Sequence, residues 1–234
     1  MNKILITGAS SEIGKDFLIQ NNSKKNIFFA QYNTDKNFLK FVNSHKFKSK
    51  IKPIKCNFFN KNDTNTFLKK IKKIKFDKII HIASKPTELI RFTELNEKNF
   101  IKEYKISFLS ILKILQVCIP KMHERNKGQI IFVLSSTILD NKTIPYLAHY
   151  NCLKFQLLGL MRSLIKDYEN TNIKFTGISP DMMDTKFLRK IDRRLLFLKK
   201  KKIKFLKVRR VVKKINEIIK YKDKFNGKNV PILI

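Results

Sequence analysis

Short apolar runs recur along this chain, and the segments between them carry the spacing of amphipathic helices. The runs are KILIT (3–7), NIFFA (26–30), KIKPIKC (50–56), KIIHIA (78–83), QIIFVL (129–134), IKFTGI (173–178) and VPILI (230–234). Most are nearly continuous rather than alternating, as expected of strands covered on both faces. Tyr104, Phe108, Ile111, Leu112, Leu115 and Ile119 fall on one helical stripe. Leu153, Leu157, Leu160, Met161, Leu164, Ile165 and Tyr168 fall on another. Strand and helix alternate throughout, which predicts an α/β fold: a doubly wound, parallel seven-stranded sheet with helices on both faces. The 234 residues suit one such unit, and no linker or repeat divides them, so residues 1–234 read as one domain.

Charge sets the next limit. Lys plus Arg number 51 against 18 Asp plus Glu, a net charge of +33. Such a field attracts polyanions. The lysines are spread along the whole chain, however, as in KKIKKIKFDKII (69–80). They read as a solvated surface, with no nucleic acid partner. Cys56, Cys118 and Cys152 stand far apart and form neither a CxxC pair nor a metal cluster. Reduced thiols are expected, and no metal. The apolar stretch from Ile106 to Pro120 is broken by Lys113 and falls short of the roughly 18 residues a membrane span needs. The N-terminus does not read as a signal peptide. These features lead us to expect a cytoplasmic protein with no membrane partner.

In a doubly wound sheet the ligand binds at the carboxyl ends of the strands, where strand order reverses. The first run ends there in TGASSEIG (7–14). A helix starting near Ser11 to Ile13 aims free N–H groups and its positive dipole end at an anion. Gly8 allows a sharp turn; Gly14 allows close packing of helix on strand or approach of a phosphate. Glu12 suits the dipole in the first helical turn.

A second constellation lies in SSTILDNKTIPYLAHYNCLK (135–154). Tyr150 and Lys154 are one turn apart on one helix face. Ser135 and Ser136 end a strand, fourteen or fifteen residues upstream, at the same sheet edge. An ammonium near a phenol favours phenolate, by up to about 4 kcal/mol at 4 Å and an effective dielectric near 20. A tyrosine of ordinary pKa about 10 then becomes a proton donor and acceptor near neutral pH.

These motifs, in this order, resemble the short-chain dehydrogenases/reductases over nearly the whole chain. TGASSEIG is similar to the family's TGxxxGxG turn, YNCLK to its YxxxK, and GISPDMMDT (177–185) to its PGxxxT segment. The resemblance implies a Rossmann fold binding NAD(H) or NADP(H), and interconversion of a carbonyl and an alcohol by hydride transfer. It implies that Tyr150 is the general acid or base, that Lys154 binds ribose and lowers the tyrosine pKa, and that Ser136 orients the substrate oxygen. Gly8, Ser10, Ser11, Ile13, Gly14, Asn57, Ala83, Pro180 and Thr185 are implied as cofactor contacts, along with Tyr150 and Lys154. Ser107 stands where many members have an asparagine completing a proton relay; Ser135 and Thr137 are the alternative hydroxyls if the register after Leu134 slips by one.

Cofactor choice is poorly marked. AQYNTDK (30–36) offers Asp35 and Lys36, which pull in opposite directions, and the positive field leans to NADP(H). The basic segment 186–208 reads as a substrate lid. It fits an anionic substrate, a sugar or nucleotide-sugar of polysaccharide synthesis; a 3-oxoacyl chain on an acidic acyl carrier protein is the alternative. A nucleotide-binding sensor without turnover is the rival of another class. A homodimer or homotetramer is implied through 100–122 and 146–168, where Ile106, Leu109, Ile114, Phe155 and Leu158 extend beyond one stripe.

Overall fold

The computed structural model describes residues 1–140, 143–188 and 204–234. Seven parallel strands form one sheet in the order β3-β2-β1-β4-β5-β6-β7. They are β1 (Asn2–Thr7), β2 (Asn26–Tyr32), β3 (Lys50–Lys55), β4 (Lys78–His81), β5 (Gly128–Val133), β6 (Ile173–Pro180) and β7 (Asn229–Ile232). Each predicted strand is present, with ends moved by one to three residues. Strand order reverses between β1 and β4, so the crevice opens above Thr7 and His81, which face each other in register.

The edges explain where the apolar pattern weakens. β5 is buried along its whole length, whereas β3 is mostly exposed or half-buried. β3 lies at the sheet edge and carries Lys50, Lys52, Pro53 and Lys55, residues that discourage pairing with a further strand. Pro231 occupies the opposite edge.

Helices α1 (Glu12–Gln20), α2 (Lys36–Ser44), α3 (Lys61–Lys72), α4 (Glu97–Tyr104), α5 (Ser110–Glu124), α6 (Ala148–Asp167), α7 (Val208–Lys220) and the short α8 (Lys222–Phe225) cover the sheet. One apolar cluster joins α3, α5 and α6 to one face; the other joins α1 and α7 to the opposite face. Phe17, Phe28, Phe67, Phe76, Phe132 and Phe175 are fully buried between these layers, each contributing about 1.5–3 kcal/mol of burial.

Between α4 and α5 the chain makes a π turn, Lys105–Leu109, so Glu97–Glu124 runs as one 28-residue helical stretch. By length and composition it could cross a membrane, which the shorter stretch Ile106–Pro120 could not. Its inner face belongs to the core: Ser107, Ile111, Ile114, Leu115, Cys118, Ile119 and Met122 are buried. Ile114 therefore serves the core and not an outer face, and so does Leu158; Phe155 is 52% exposed. Of the segment 186–208, Lys186–Leu188 forms one 3-10 turn and α7 begins at Val208, while residues 189–203 lie outside the described residues.

Candidate active site

At the end of β1 the chain turns at Gly8, whose φ is +67°. A Cβ there would stand 2.8 Å from the backbone nitrogen of Ala83, so only glycine lets β1 and the segment after β4 converge. A Cβ at Gly14 would stand 2.5 Å from the carbonyl oxygen of Ala9. Gly14 therefore serves close packing of α1 on its own turn. Ser11 caps α1, accepting from the Gly14 N–H and donating to the Gly8 carbonyl. Gln31, buried on β2, accepts from the Gly8 N–H at 2.8 Å and donates to the Cys56 carbonyl at 2.8 Å. Glu12 opens the helix and its carboxylate accepts the backbone N–H of Lys186 at 3.0 Å. It thus ties the turn to the segment that follows β6.

Gly8, Ser10, Ser11, Ile13, Asn57, Ala83, Ser135, Ser136, Thr137, Tyr150, Lys154, Pro180 and Thr185 all line one cavity of about 1200 Å³. The bare turn and the helix N-terminus fit the diphosphate of a dinucleotide. Asn57 Oδ1 caps the Phe59 N–H while the residue borders the cavity. Asp35 accepts from the Asn37 N–H at 3.0 Å and pairs with Lys15 at 3.3 Å, so its carboxylate is already engaged.

Tyr150 and Lys154 project from the first turns of α6 into the same cavity. Lys154 Nζ lies 5.4 Å from the Tyr150 ring centroid and donates to the Val133 carbonyl at 2.8 Å. Their acidities run against the expectation from proximity. Burial pushes the Tyr150 phenol up to about 12; a hydrogen bond with Ser135 opposes this, and the Glu103 carboxylate adds to it. Burial pulls Lys154 down to about 8. The ammonium rests beside the ring and is itself desolvated, so in the free protein burial outweighs its pull on the phenol.

The serines divide their work. Ser135 is the hydroxyl in contact with Tyr150, and it also accepts from Thr137 Oγ1 at 3.0 Å. Ser136 donates to Asp181 at 2.9 Å, anchoring the β5 exit to the β6 exit. Ser107 is buried in the π turn, its hydroxyl 3.3 Å from Ser84 Oγ.

His81, which sequence reading passed over, links the two ends. Its Nε2 lies 2.8 Å from the Ser107 carbonyl oxygen, an acceptor only, so Nε2 carries the proton. Nδ1 then accepts from the Thr7 hydroxyl at 2.8 Å. Thr7 Oγ1 in turn accepts the N–H groups of Ile82 and Ala83. Burial holds the imidazole neutral, with its pKa lowered to about 3. The available signal was a histidine ending a buried strand opposite a threonine.

A profile of the short chain dehydrogenase family matches residues 2–195. The chain belongs to the short-chain dehydrogenases. It is accordingly an NAD(P)-dependent oxidoreductase, and its parallel sheet is that family's Rossmann fold. Among solved structures, it superposes on a 3-oxoacyl-[acyl-carrier protein] reductase from Brucella melitensis with a TM-score of 0.83 at 14% identity, covering 99% of this chain and 90% of that one. A short-chain dehydrogenase from Sphingobium yanoikuyae in complex with NADPH gives 0.84 at 13% identity, covering 100% and 87%. The 17-beta-hydroxysteroid dehydrogenase 13 of Rattus norvegicus is 28% identical over 102 residues, 42% of this chain; the match spans 33% of that relative's length.

Proposed function

We propose that this short-chain dehydrogenase reduces a carbonyl to an alcohol, with Tyr150 as the proton donor. The observation that supports this is the meeting of Tyr150, Lys154 and Ser135 with the glycine turn on one cavity. Bound NAD(P)H supplies the hydride. Tyr150 holds its proton firmly at neutral pH, which is the form needed to protonate the oxygen of a reduced carbonyl. Ser135, already in contact with the phenol, orients the substrate oxygen, and Ser136 keeps that strand exit fixed through Asp181. Lys154 holds the ribose end, fixed by Val133. Gly8, Ser10, Ser11, Ile13, Asn57, Ala83, Pro180 and Thr185 hold the cofactor, with Gly14 behind them.

NADP(H) is the preferred cofactor in this reading, since Asp35 is engaged by Lys15 and the chain carries +33. The substrate is anionic, a sugar or nucleotide-sugar, because Arg91, Lys102 and Lys186 border the cavity. Titration of NADPH fluorescence with wild type and Tyr150→Phe tests the assignment, followed by a screen of carbonyl compounds. Both proteins should bind NADPH alike, while the variant loses turnover by about 10²- to 10⁴-fold. Equal turnover by the two proteins removes Tyr150 from the mechanism.

A further inference from the structure

The cavity wall formed after β4 carries more polar groups than proton transfer at Tyr150 uses. Ser84, Lys85 and Thr87 all border the cavity. Thr87 is 4% exposed, and its hydroxyl has no hydrogen-bond partner among the described residues. Buried hydroxyls are almost always paired, and this wall borders an open space where a ligand's oxygen would complete the set. Lys85 Nζ lies 3.0 Å from Glu103 Oε1 and 3.1 Å from Glu88 Oε1. Its charge already meets two carboxylates, yet an ammonium has three donors, so one remains. Glu103 is itself buried on α4, with His149 Nε2 3.7 Å from its other oxygen. Burial disfavours the charged form of His149. The cluster therefore adds no unmatched positive charge to this wall.

We propose that Lys85 and Thr87 form a recognition subsite for a neutral hydroxyl group of the substrate, close to the reacting carbonyl, and not for a carboxylate or phosphate. The inference rests on the reading of this cavity as the substrate site, and it narrows that reading. A hydroxyl accepts from Lys85 and pairs with Thr87. An anion in the same place faces the carboxylates of Glu103 and Glu88 directly behind the ammonium. A plain acyl chain leaves both side chains unpaired, which a site built to bond a hydroxyl strongly disfavours. Carbon skeletons bearing hydroxyls, such as sugars, are thereby preferred over fatty acyl chains, and any anionic part of the substrate lies outward, toward Arg91 and Lys102.

Two four-carbon ketones test this, D-erythrulose with hydroxyls and 2-butanone without. Their binding to the NADPH complex is followed by ligand-observed NMR, which needs no turnover. Wild type should prefer erythrulose by tenfold or more. Thr87→Val should cut that preference about tenfold, Thr87→Ser should restore it, and neither variant should change NADPH affinity or the melting temperature appreciably. Equal binding of the two ketones, unchanged preference in Thr87→Val, or binding of neither ketone overturns the proposal. NADPH binding by itself keeps the cofactor reading standing in each of those cases. If NADPH fails to bind, that reading fails separately, and the preference measured on the free protein still decides the subsite.

Discussion

The dinucleotide end of the cavity is built from backbone and small residues; the reacting end is built from buried ionisable side chains. Gly8, Ser10, Ser11 and Ile13 come from one continuous stretch, shaped by a positive φ and a serine cap. Tyr150, Lys154, His81, Lys85 and Glu103 come from separate elements and are held by contacts across the fold. Local chain geometry makes the first end nearly independent of its surroundings. The second end exists only when distant segments converge, and it stores the desolvation of its charges.

Lys154 gives the largest contrast. Its pKa in the fold is about 8 against an ordinary 10.5. Below pH 8 the folded protein carries the buried charge at a cost on the order of 3 kcal/mol. Between pH 8 and 10.5 the unfolded chain holds more protons, so this contribution to stability rises with pH and levels off above. At pH 7, Lys154→Met should be more stable by about 2 kcal/mol, after the lost bond to Val133 is set against the gain, while losing activity. Urea unfolding from pH 7 to 10.5 measures both the offset and the flattened slope. A less stable variant at pH 7 refutes a stored cost at this end.

At the other end, Gly14→Ala should destabilise by about 2 kcal/mol, because the new methyl meets backbone of Ala9 that cannot swing aside. For a chain of this size that lowers Tm by about 4–8 °C, with weaker NADPH binding. An unchanged Tm shows that the turn relaxes and that the dinucleotide end is less rigid than drawn. The smallest effect belongs to the partly exposed pair Lys15–Asp35. Asp35→Asn preserves the cap on α2 and removes only the charge, so the loss should stay below about 1 kcal/mol and vanish at high salt. A larger loss means the dinucleotide end also depends on electrostatics.

The same contrast governs what could be read from the sequence. The glycine turn was legible because its shape is dictated within eight residues. Tyr150 and Lys154 were legible because four residues make one helical turn. The choice between Ser135 and Ser136 was not, since it depends on Asp181, 45 residues further on. His81 was invisible because its partners lie 74 residues before it and 26 after it. The direction of the Tyr150 shift was misjudged for the same reason: proximity in sequence reports charge neighbours, and burial is a property of the whole fold. The strands were found by their apolar runs, and the weak pattern of β3 reflects its place at the edge.

The imidazole of His81 acts as a spacer of fixed width. One nitrogen is fastened to the strand that leads into the nucleotide turn, the other to the helix that carries Ser107. A ring neither stretches nor folds, so the separation of those two supports is set by a rigid five-membered gauge rather than by a flexible chain. Substituting any acyclic residue would turn that gauge into a hinge.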